Sequence, residues 1–191
     1  MTLQTLISVP DSALPVAALK AHLRLGTGFS DNTVQDPVLV GFLRAAMALI
    51  EARIGKILMR QTVEWTRDDL PAQFVLPVAP VTAIEQVLLA QFDGPDVDVT
   101  DTFHLHQDPH RPVLQGRAAL LSQGDRAVIR MVIGLAEDWA DVPSDLAQAV
   151  LLLATHYYEH RDQTGLDQSC MPFGVTALLQ RHRQMRLGGA T

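Results

Sequence analysis

Apolar residues return at two different spacings along this chain, and the change of spacing divides it into three stretches. From Pro15 to Leu25, Val16, Leu19 and Leu23 recur at helical intervals and Gly26 supplies a stop. A stronger helix is predicted from Pro37 through Ile54. Leu39, Leu43, Met47, Ile50 and Ile54 make one stripe there, Pro37 suits the first turn, and Gly55 closes the element. Gly26 to Gln35 between them reads as a loop.

At Gln61 the period drops from 3.6 toward 2. Val63 and Trp65 alternate with Thr62, Glu64 and Thr66, and Pro71, Pro77 and Pro80 punctuate the chain beyond them. Further strands are predicted at Phe74 to Leu76, Ala83 to Gln91, Phe103 to His106, Pro112 to Gln115 and Ala127 to Ile133. The acidic run Asp93, Asp96, Asp98 and Asp101, with Gly94 and Pro95, reads as a solvated hairpin loop. Helical spacing returns after Asp141, where Pro143 and Asp145 suit a first turn and Leu146, Val150, Leu153 and Tyr157 continue to about Arg161. Gln163 to Pro172 reads as a loop, and Val175 to Met185 as a short last helix.

The expected architecture is therefore α+β: a helical bundle of about four helices interrupted by a small antiparallel β-rich insertion. In residue terms, 1–59 with 137–191 would form the helical core and its C-terminal segment, and 60–136 the insertion. Neither an internal repeat nor a low-complexity segment is present.

Composition narrows the function. With 191 residues and 48% hydrophobic content the chain can bury a core without disulfides, and its single cysteine, Cys170, has no intrachain partner. A free thiol in that place is expected to be inert packing. A formal net charge of -6 argues against generic nucleic-acid binding, which draws on Lys and Arg. Met1 to Pro10 lacks the basic residues and apolar core of a signal peptide, and no apolar run is long enough to span a membrane, so synthesis in the cytoplasm is expected.

Two histidine clusters invite a metal. His156-Tyr157-Tyr158-Glu159-His160 spells the H-x-x-E-H of a zinc-peptidase class, with both imidazoles on one helical face. That chemistry needs a third protein ligand further along, and only Asp162 and Asp167 come after it, both close by in the next loop. A helix end with cationic groups near the last carbonyls is the plainer account. His104 and His106 share one strand face, with His110 beyond, but no Cys or closely spaced carboxylate joins them. No G-x-S-x-G or G-K-[ST] occurs. A conventional enzyme is therefore not expected, and neither histidine cluster is read as a metal site.

The end of the chain is different. No acidic residue lies beyond Asp167, and Arg181, His182, Arg183 and Arg186 are mixed with Leu178, Leu179, Met185 and Leu187. An amphipathic segment this short is suited to ordering on a partner.

Several stretches together resemble one family. Ala18-Leu19-Lys20-Ala21-His22-Leu23-Arg24-Leu25 is similar to the "A-K-x-H-L-R" helix that opens phage head-tail connector (adaptor) proteins. Ala45 to Gln61 resembles their second helix, where "I-E-x-x-x-G-[RK]" leads into a strand with a Trp like Trp65. Val142-Pro143-Ser144-Asp145-Leu146 and Ala154 to Arg161 look like their "V-P-x-x-[IL]" and "A-x-x-Y-E-x-R" stretches. Pro172-Phe173-Gly174-Val175 to Leu178-Leu179, then Arg183, is similar to their "P-x-G-V-x-x-L-L-x-x-x-R" ending. The match is poorest from Asp93 to Gly124.

The resemblance implies a structural subunit of the virion neck, in a phage or a gene transfer agent, with no cofactor and no catalytic residue. It would form a ring, typically of twelve copies, beneath the portal protein, join the DNA-filled capsid to the tail, and leave a channel for DNA. Its partners would be the portal, neighbouring copies, and a downstream stopper or tail protein. Leu178, Leu179, Arg181, Arg183 and Arg186 would dock on the portal. A tail-completion protein elsewhere in the neck is the alternative within that machine, and a zinc hydrolase the alternative outside it.

Overall fold

The computed structural model describes residues 1–24, 33–119, 121–161 and 171–182. Chain contacts divide it into two compact units. One takes Met1–Val9 and Lys56–Glu137, the other the described residues of Pro10–Gly55 and Asp138–Thr191.

The first unit is built of eight strands among the described residues, all in antiparallel pairs. These are β1 (Thr2–Ile7), β2 (Gln61–Arg67), β3 (Gln73–Val75), β4 (Val81–Ala90), β5 (Val97–Asp98), β6 (Phe103–His106), β7 (Val113–Gly116) and β8 (Arg126–Ile133). Five form a sheet in the order β1-β2-β8-β4-β5, and three a second sheet in the order β3-β7-β6. Strand β8 is central because its period-2 pattern is the cleanest: Ala127, Ile129, Met131 and Ile133 are buried, and the residues between them are not. The register sets Ile129 between Trp65 and Val87 and sets Met131 beside Val63. Phe74, Phe103 and Leu114 of the smaller sheet join these residues in one apolar core. On the other face Glu64 and Arg130 are cross-strand partners and pair at 3.3 Å.

Two cations, Lys56 and Arg67, are buried in this unit. The Arg67 guanidinium stacks over Trp65 at 4.5 Å and Phe74 at 4.4 Å, while Asp69 takes it bidentately at 2.7 and 2.9 Å. The planar fork suits both contacts at once. At the end of β8, Gly134 has φ 120° and a side chain there would meet the Met59 carbonyl at 2.5 Å, so only glycine fits the close approach.

The second unit holds helices α1 (Val16–His22), α2 (Asp36–Ile54), α3 (Ser144–Glu159) and α4 (Phe173–Leu179). Helix α2 buries Leu39, Leu43, Met47, Ile50 and Ile54, the stripe its sequence predicts, and ends on Gly55 at φ 69° with its N–H donating to the Glu51 carbonyl. Helix α3 buries Leu146, Val150 and Leu153. Helices α1 and α4, seven residues each, contribute Leu19, Val175 and Leu179. Lys20 and Asp36, and Arg44 and Asp11, are ion pairs within this unit.

The expectation of a helical bundle interrupted by a small β-rich insertion is overturned. The protein is mixed α+β, its described residues including eight strands in two antiparallel sheets that enclose their own core. Strand β1, from the start of the chain, pairs with β2, so the sheet is completed by residues far from it in sequence. The helices are also shorter than a bundle needs, since two of the four span only about two turns.

Candidate functional site

The residues singled out at the chain's end lie partly in α4 and partly beyond it. Pro172 starts the helix, its fixed φ being compatible with a first turn, and α4 gives way to a 3-10 turn over Gln180–His182. Leu179 is buried against the helical unit's own core and Leu178 is half-buried, so these two hold the segment in place. The Arg181 side chain is exposed. Arg183 and Arg186 lie outside the described residues, as do Cys170, Asp162 and Asp167.

One carboxylate ties this segment down. The Nε2 of His182 lies 2.7 Å from Asp145 Oδ2, and Arg181 reaches the same oxygen at 3.4 Å. Asp145 sits in the first turn of α3 and its Oδ1 accepts from the Leu146 N–H at 2.9 Å. Burial pushes the Asp145 carboxyl up, but the His182 hydrogen bond and charge, the Leu146 N–H and the Arg181 charge outweigh it, and the pKa falls below the ordinary 3.8. The sequence places His182 in a basic run without revealing its partner. Only the packing of α4 on α3 brings it to Asp145, 37 residues away.

The H-x-x-E-H stretch closes α3 as a helix end. The His156 and His160 rings face each other at 4.3 Å, and His160 Nδ1 donates to the His156 carbonyl at 3.0 Å. Glu159 is exposed. His156 Nε2 is buried with no hydrogen-bond partner. Burial, then the His160 charge, hold the His156 pKa below 6.5 against the opposing pull of Glu159. Tyr158 packs edge-on against Phe42, donates to Gln35 Oε1 at 3.2 Å, and carries the Arg161 guanidinium over its ring. On β6, His104 and His106 are exposed on the face opposite Phe103. Among the described residues no three His, Cys, Asp or Glu side chains gather as metal ligands.

The acidic run is partly structural. Asp98 lies in β5 and accepts from the Thr100 hydroxyl at 2.5 Å, the Thr100 N–H at 2.9 Å and Gln86 Nε2 at 3.1 Å, which lower its pKa. Asp93, Asp96 and Asp101 are exposed. No helix among the described residues is long and apolar enough to cross a membrane.

Three solved chains share this fold along its whole length. A chain from the neck of an empty GTA particle, computed with C6 symmetry, superposes with a TM-score of 0.86 at 36% identity, covering 100% of this chain and 99% of that one. The chain belongs to the head-tail connector family found in gene transfer agent (GTA) necks. A second chain, from the virion of a native GTA particle, matches at 37% identity and TM-score 0.82, again over 100% and 99%. The third, from the neck of a native GTA particle computed with C12 symmetry, gives 34% and 0.78 over the same shares. No family model matches the sequence, and a search of curated proteins finds no match. This connector is accordingly a structural component whose place is the virion neck.

Proposed function

We propose that this connector is the adaptor subunit of the neck: a ring, of twelve copies, that sits beneath the portal, joins the DNA-filled capsid to the tail and encloses a channel for DNA. The observation that carries this reading is full-length likeness to neck chains in particles treated with sixfold and twelvefold symmetry. Closed rings are built from heterologous contacts, one patch on a copy meeting a different patch on the next. A symmetric portal would template that closure. The net charge of -6 suits a channel wall, because it limits adhesion of the DNA backbone during passage. No catalytic residue or cofactor is needed for this role.

The portal contact is assigned to the C-terminal segment, Leu178, Leu179, Arg181, Arg183 and Arg186. Within it the leucines seat α4 and Arg181 is open to the partner, in keeping with the burial of Leu179 and the exposure of Arg181. Purified protein is expected to co-sediment with DNA-filled, tail-less heads and to be imaged at the portal vertex only. Absence of binding by folded protein would move it to the tail side of the neck. Because Val175 and Leu179 are core residues, the cut that tests docking removes residues 183–191 and replaces Arg181 with Ala. Affinity for heads should fall at least about tenfold, roughly 1.4 kcal/mol, with stability lowered by no more than the small contribution of the exposed Arg181–Asp145 pair. Undiminished binding would remove the docking role.

A further inference from the structure

The larger sheet ends in one unprotected edge. Strand β1 pairs with β2 on one side and, among the described residues, with no other strand on its other side, and all six of its residues are exposed. Its sequence, Thr-Leu-Gln-Thr-Leu-Ile, contains no charge and no proline. Natural edge strands are normally blunted by lysine, proline, a bulge or a cover, since free backbone N–H and C=O groups invite another strand. The one irregularity of β1, between Thr5 and Ile7, comes at its end and leaves Thr2 to Thr5 in regular register. The opposite edge of the sheet is handled differently: β5 is two residues long and carries the Asp98 carboxylate. Leu3 is paired with the buried Trp65 yet is 43% exposed itself, and Leu6 and Ile7 are exposed too. Backbone hydrogen-bonding groups and apolar side chains are thus presented together.

We propose that β1 is the strand by which each copy joins the next copy of this chain in the ring, adding to a different edge or extended segment of its neighbour. This rests on the ring reading of the protein's function. Two observations favour another copy as the occupant. The neck chains treated with C6 and C12 symmetry match 100% of this chain, β1 included. In addition, each copy carries a net charge of -6, and like-charged copies approach at least cost through a surface with no charge of its own. Pairing of β1 with β1 would be isologous and close a dimer, so a ring requires a different receiving patch.

The test uses the full chain with Leu3→Lys and Leu6→Lys, both at exposed positions, added to portal-bearing heads that lack this protein. The variant should melt as wild type does and close rings at least about tenfold less often, the scale of losing central interface anchors. In a 1:1 mixture with wild type, each variant copy keeps its receiving patch and its portal contact but ends the chain of neighbours. Tail attachment should therefore fall well below half. Rings closed normally by the variant would overturn the proposal. So would a mixture that behaves as diluted wild type, which would put β1 against the portal. As a check independent of folding, the wild-type amides of residues 2–7 should exchange more slowly in assembled rings than in free protein, and unchanged exchange overturns the proposal. Wild-type protein that forms no ring on heads would overturn the ring reading itself, whereas wild-type rings with an unaffected variant overturn only the role of β1.

Discussion

The sheet unit and the helical unit solve the problem of holding a fold together in different ways. In the sheet unit, residues distant in sequence share one core, with β8 locked between β2 and β4 over its length. In the helical unit, two long helices are accompanied by two of seven residues, too short to persist without tertiary anchors. The sheet core is therefore expected to fail as a whole, and the helical unit to open locally at α4 first. Assembly fits that division, since the segment assigned to the portal belongs to the part that opens most readily.

The largest effect should come from the centre of the sheet. Ile129 is fully buried between Trp65 and Val87, and Ile129→Ala should cost about 2–5 kcal/mol through lost burial and the cavity left behind. The two tryptophans make the comparison measurable, because Trp65 lies in the sheet unit and Trp139 in the other. In a Trp139→Phe background the fluorescence of Trp65 should lose its transition at lower denaturant. If a Trp65→Phe background reports through Trp139 an equal shift, the units unfold as one and the contrast between them is lost.

Much of this contrast is legible in the sequence, and the exceptions have physical causes. Ile129, Met131 and Ile133 announce β8 because one face is buried and the other is not. Strand β1 is silent because both of its faces are exposed, so no alternation marks it. Strand β5 is missed as well, two residues inside an acidic run that reads as a loop; the remaining strands could be placed one by one, but their division into two sheets rests on non-local pairings that no local pattern encodes. The same blindness explains the misjudged architecture: helices announce themselves through 3.6-residue stripes, whereas a sheet's size depends on how many strands find one another. At the chain's end the basic and apolar mixture was legible. Which leucine turns inward and which carboxylate holds His182 was not, because α3 supplies both answers from a distance.

A smaller, local effect sharpens the contrast from the other side. Asp145→Asn leaves the size of the side chain but removes the charge that His182 and Arg181 share, and should cost about 1–2 kcal/mol. Limited proteolysis and amide exchange should accelerate in α4 while the Trp65 transition stays where it was. The wild-type carboxyl titrates below 3.8, so its contribution is complete above that value and is lost as pH falls through the lowered pKa. The variant should show less acid sensitivity in α4 across that window. Equal acid sensitivity would remove Asp145 as the anchor.

The smallest effect separates a helix end from a ligand site. His156 is held below 6.5 by burial and by the His160 charge, so the native state takes up its proton less readily than the unfolded chain does. Stability from this group is therefore undiminished above 6.5, falls as pH drops from there, and levels off once the native pKa is passed. Phe at this position keeps a ring against His160, cannot titrate, and removes the buried Nε2 that has no partner. His156→Phe should thus lie within about 1 kcal/mol of wild type at pH 8, the scale of a shape-conserving replacement. Between pH 7.5 and 5.5 the wild type should lose stability relative to the variant, as read by the Trp139 transition. Parallel curves would mean that the ring is not charged at native cost, and the account of the H-x-x-E-H stretch as the end of a structural helix would lose its support. A zinc-dependent gain in stability of wild type, abolished in the variant, would replace that account with a metal site.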